Sequence, residues 1–173
     1  MSRRSRPLSH LLPVLAGVCL VTATPAHAQA APSKPSVEVL RPLTFQKRDD
    51  LDFGIVVPGA VGGSVQVTPG GVVNLSGDVR VVGTDAHPAQ YVTTGGANKI
   101  VLIGTQVATL ALKRAGGGAP DILVNWGGAP IRAYFRLTQS GVHAFVLGGT
   151  ITVAGGQPAG DYSGDFQITA TYF

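Results

Sequence analysis

Glycine pairs and proline–glycine steps divide this chain so finely that few windows are long enough to hold a helix. Pro58-Gly59, Gly62-Gly63, Pro69-Gly70-Gly71, Gly95-Gly96, Gly116-Gly117-Gly118, Gly127-Gly128, Gly148-Gly149 and Gly155-Gly156 recur along it. Glycine reaches positive φ without steric cost, so such steps mark tight turns. Between them the strand formers Val, Ile and Thr dominate.

The segments between turns alternate with a period of two. Tyr162, Gly164, Phe166, Ile168, Ala170 and Tyr172 fall on one face of the last segment, and polar residues fall on the other. Ile131, Ala133, Phe135 and Leu137 alternate in the same way with Arg132, Tyr134, Arg136 and Thr138. Leu51, Phe53, Ile55 and Val57 repeat the pattern, as do Val65 and Val67. Short alternating strands between regular turns predict an all-β fold. The expected architecture is an immunoglobulin-like antiparallel β-sandwich of about eight to ten strands. Gly62–Val67 and Gly148–Val153 echo one another, and similar turn requirements explain this more simply than duplication.

The N-terminus predicts export. Arg3, Arg4 and Arg6 form a basic start, Leu11–Val21 is an apolar run too short to span a bilayer as a helix, and Ala26-His27-Ala28 fits a cleavage site. This divides the chain into a signal peptide over 1–28, a flexible leader over 29–36 and one domain over 37–173. Two rival readings are a twin-arginine signal at Arg3-Arg4 and a lipobox at Cys19. The first lacks the hydrophobic residues that should follow the arginines, and the second has Val18 where a small residue belongs. Cleavage removes three arginines, so the balance falls from 13 basic and 9 acidic residues to 10 and 9. A nucleic-acid partner is therefore not expected, nor is an integral membrane segment in the mature chain. The single cysteine leaves as well, so burial and backbone pairing must hold the domain.

The residues offer little chemistry. His87 and His143 stand alone, without a second ligand at metal spacing. Asp49, Asp50 and Asp52 only partly fit a calcium loop and read better as a solvated stretch before a strand. No G-x-S-x-G elbow or phosphate-binding loop is present. No catalytic residue, cofactor or metal is expected, and the chain reads as non-enzymatic. Trp126 is either a core residue or a surface ring that stacks on sugars, with Tyr134 as a second ligand contact.

Three stretches carry a resemblance: Leu51–Gly54, Gly62–Gly71, and Gly148–Val153 with Gln157–Tyr172. Over about Val37–Phe173 the chain resembles a family of secreted proteobacterial proteins that form a domain of unknown function. Its ending is also similar to the last strand of chaperone–usher pilins and spore-coat-U-type proteins. Gly160, Phe166, Ile168, Ala170 and Tyr172 occupy the matching places, with Tyr162 on the same face. The resemblance implies a pilin-like fold whose last strand is an assembly edge. An incomplete sandwich would then be completed by self-assembly through strand exchange, or be held by a periplasmic chaperone and usher. Val37, Val39, Leu43 and Phe45 form the donor strand or the first strand of the domain's own sheet, and Pro42 confines them to an edge or a bulge. The chain departs from common pilins in having no disulfide. The expected function is an exported structural or adhesion-type subunit in the periplasm, on the cell surface or outside the cell. The alternative is a free secreted carbohydrate-binding module using Trp126 and Tyr134.

Overall fold

Alternating segments bounded by glycine turns bury one face each and pair through their backbones, and the described residues form twelve strand segments in this way. A computed structural model describes residues 33–128 and 131–173. The proposed signal peptide and the first residues of the leader lie outside the described residues. The strands are β1 (Thr44–Asp49), β2 (Ile55–Val67), β3 (Val73–Val82), β4 (Ala89–Thr94), β5 (Ile100–Thr105) and β6 (Thr109–Arg114). They continue with β7 (Ile122–Asn125), β8 (Arg132–Arg136), β9 (Val142–Leu147), β10 (Gly149–Ala154), β11 (Tyr162–Ser163) and β12 (Ile168–Tyr172). Every strand pairing is antiparallel. The protein is an all-β antiparallel sandwich.

Two three-stranded sheets, ordered β1-β4-β9 and β12-β5-β8, share one core. Tyr91, Phe145 and Leu147 of the first meet Val101 and Ile103 of the second. A third sheet runs β11-β6-β7-β10-β2-β3 and buries Val65, Val67, Val124, Ile151 and Val153. Both halves run on into it. β9 passes to β10 across Gly148 alone, β5 to β6 across residues 106–108, and β11 to β12 across residues 164–167. These interruptions lift the number of segments to twelve.

Strand β10 joins the halves. Ile151 lies opposite Val124 of β7 on one side and Val65 of β2 on the other. The two glycine-led segments that echo one another in sequence are thus β2 and β10, paired directly from Gly62–Ala154 to Val67–Gly149. Gly62 has φ +80°, and a Cβ there would strike the Val153 carbonyl. Among the described residues β3 and β11 end the six-stranded sheet, so the two halves are joined where β7 meets β10 and unjoined where β3 and β11 end.

Two expectations change. The sequence puts Leu51, Phe53, Ile55 and Val57 on one face, but Gly54 (φ +72°) reverses the phase. Phe53 is buried and Val56 packs on the core, while Ile55 is 62% exposed. The last segment keeps its alternation except at the exposed Gly164, but not a single partner, because β11 pairs with β6 and β12 with β5.

Ile103 is fully buried between the three-stranded sheets. Ile103→Ala should therefore lower unfolding free energy by about 2–5 kcal/mol in chemical denaturation. Ile55→Ala should cost less than about 1 kcal/mol. His143 stacks on Phe135 at 4.4 Å, and burial lowers its pKa. The unfolded chain therefore takes up the proton first, at about pH 6.5. Stability should fall as the pH drops from neutral through the lowered pKa of the folded state, and His143→Gln should flatten that slope in melts at graded pH.

Candidate functional site

The unclosed side of the sandwich holds a groove of about 1190 Å³. Its floor is Ile122 and Val124 of β7 with Ile151 and Val153 of β10, all buried and all projecting from the same face of the six-stranded sheet. One wall is Leu51–Pro58. The other is Leu110–Lys113 of β6 with the segment Gln157–Phe166. Trp126 and Phe166 meet within it, ring centroids 5.1 Å apart.

The walls carry unpaired strand edges. In β2, residues Ile55–Pro58 pair with β3 on one side, whereas β10 reaches only Gly62–Val67 on the other. A register shift between Pro58 and Gly62 separates the two stretches. Across the groove, β11 ends the sheet, paired among the described residues with β6 alone. An exposed strand edge is a template for another strand.

The second wall is fixed by its own side chains. The Tyr162 hydroxyl donates to Pro158 O at 2.8 Å and lies 3.0 Å from Gln157 Nε2, which also donates to Pro120 O at 2.7 Å. Arg114 Nε donates to Ala159 O at 2.9 Å, beside Gly160. The Gln-Pro-Ala-Gly-x-Tyr stretch thus folds back on itself to make a rigid rim. Among the described residues the buried Trp126 Nε1 has no hydrogen-bond partner.

The residues singled out in the sequence divide between three places. Tyr162, Gly160 and Phe166 form the groove wall. Ile168, Ala170 and Tyr172 pack instead on the core between the three-stranded sheets. The Tyr172 hydroxyl accepts from Gly96 N and donates to Arg41 O, each at 2.6 Å, and so clamps the chain that leads into β1. Phe45 stacks on Tyr91 at 5.1 Å within the β1–β4 pair, and Leu43 packs on the same core. Burial, and secondarily the charge of Asp50, raise the pKa of Tyr91. Val37 and Val39 stand 89% and 88% exposed and lie outside any strand.

Trp126 and Tyr134 do not come together. Trp126 packs against both cores, whereas Tyr134 is 56% exposed on β8. Asp50 pairs with Lys47 at 2.6 Å, and Asp52 accepts from Gly54 N at 2.7 Å. The backbone of His87 bridges to that of Asp52. The groove floor was missed in the sequence, although Ile122/Val124 and Ile151/Val153 alternate there. β7 has only four residues, too few to stand out by periodicity.

A family model described as a domain of unknown function, DUF4402, matches residues 43–172. No curated protein and no solved structure matches the chain. The match begins one residue before β1 and ends with β12, so it takes in both walls and the floor.

If Tyr162 holds the rim as described, Tyr162→Phe should lower stability by about 1–2 kcal/mol through its lost hydrogen bonds. In hydrogen exchange the loss of protection should concentrate in residues 157–163 and leave β12 unchanged.

Proposed function

The chain belongs to the DUF4402 family of domains of unknown function, and on that footing we propose that it is an exported, non-enzymatic structural or adhesion-type protein. In this reading it is a pilin-like surface subunit that assembles by strand exchange. What carries the proposal is the groove, an apolar floor between two half-paired strand edges. Its volume of about 1190 Å³ exceeds the roughly 300–1,000 Å³ usual for small-molecule pockets. An extended peptide laid along the wall Leu51–Pro58 would find backbone partners at the edge and apolar contacts below, as in β-augmentation. The expected signal peptide supplies the route of export, and a second copy or a periplasmic chaperone and usher would supply the strand.

The alternative of a free carbohydrate-binding module relying on Trp126 has less support, because that ring packs on both cores rather than on the surface.

Leu112 is a half-buried wall residue, so a charge there should block strand insertion while the fold survives. Wild-type protein should form higher-order species with rising concentration in light scattering, seen as chains by negative-stain electron microscopy. Leu112→Arg should stay monomeric with an intact far-ultraviolet spectrum. Wild-type protein that remains monomeric at every concentration, with or without a co-expressed chaperone, would defeat the proposal.

A further inference from the structure

The outer face of the β12-β5-β8 sheet has a character that the groove does not explain. β8 directs Ala133 and Phe135 inward, so Arg132, Tyr134 and Arg136 stand exposed on the opposite face. The ladder places them beside Gly104, Leu102 and Ile100 of the central strand. Thr169 and Thr171 of β12 flank Gly104 and Leu102 from the other side. Phe173 follows β12 and is 79% exposed, yet its ring lies 4.9 Å from that of Tyr134 at 74°. The two rings come from opposite edges of the sheet and meet above β5.

The result is a short aromatic ridge with one arginine on either side. Arg132 and Arg136 are four residues apart on one strand, or about 13 Å at the strand rise. β5, β8 and β12 contain no Asp or Glu. Glu38 is held by Lys99 at 2.6 Å. Arg136 is steadied by an Nη1 hydrogen bond of 2.8 Å to Asn98 O. At Gly104, between Arg132 and Thr169, the central strand carries no side chain and the face is notched.

We propose that this face binds an anionic polysaccharide, with the Tyr134–Phe173 ridge under sugar rings and Arg132 and Arg136 on carboxylates of the chain. Aromatic faces carry negative potential and attract the C–H faces of pyranose rings. Guanidinium groups pair with carboxylates in a planar fork. A flat exposed sheet suits an extended polymer better than a small ligand, which needs a concavity. Single-stranded nucleic acid fits less well, since it asks for a continuous basic track along its phosphates. The face works whether or not the groove takes up a strand.

The test uses the whole protein immobilised against soluble polygalacturonate, with neutral dextran and poly(dT) as comparison polymers. Polygalacturonate should bind at low salt and weaken as salt rises, while dextran should not bind. Arg132→Glu with Arg136→Glu should reduce affinity by at least about tenfold, the product of several exposed ion-pair contributions. Tyr134→Ala should weaken binding several-fold with little change in salt dependence. Arg80→Glu on β3 changes charge elsewhere and should leave binding unaltered. No binding of polygalacturonate, an equal loss in Arg80→Glu, or tighter binding of poly(dT) would each overturn the assignment.

Discussion

The backbone pairing of β10 with both β7 and β2 is the constraint on which the rest of the fold depends. Ile151 sits between Val124 and Val65 in adjoining ladders, and through that row the two halves of the sandwich become one six-stranded sheet. Gly62 and Gly63 at one end and Gly148 at the other allow close approach of main chains that a Cβ would prevent, and Gly149 leaves room for the side chains of Trp126, Leu51 and Val124. The chain's single cysteine lies at position 19, outside the DUF4402 match at residues 43–172, so the matched domain relies on burial and hydrogen bonding alone. Closing the sandwich along this side is also what leaves the other side without a closing pair.

The open side is therefore a consequence of topology. The strands that could have closed it are engaged elsewhere. β11 has two residues and pairs only with β6, and the chain then crosses to β5 as β12. β1 is held on β4, with Phe45 stacked on Tyr91 and Tyr172 clamping the segment before it. What is left between Leu51–Pro58 and Gln157–Phe166 is a floor of aliphatic side chains flanked by half-paired edges. Native proteins cover or blunt such edges, and an edge left free beside an apolar floor is the usual condition for pairing with another chain.

The sequence declared faces more clearly than neighbours. Alternation in Ile131–Thr138 is reproduced residue by residue in burial, and in Tyr162–Tyr172 at every position but the exposed Gly164, because a period of two is a local property of the backbone. At Gly54, which has positive φ, the pattern predicted for Leu51–Val57 breaks, and Val56 rather than Ile55 packs on the core beyond it. Partner choice is non-local, so the division of the last segment between β6 and β5 left no trace in composition. The same reason hid the groove. Tyr162 and Phe166 were legible as one face of an alternating strand, but the groove they line exists only because particular edges lack partners among the described residues.

The central claim is that the half-paired edge of β2 receives a strand. Hydrogen exchange at the amides of Ile55, Val56 and Val57, compared in monomeric and concentrated samples, addresses it directly. Those β2 amides that are not bonded to β3 should exchange quickly in the monomer and become protected on assembly, together with residues 162–166 across the groove. Protection already complete in the monomer, or unchanged in an assembled sample, would contradict the account.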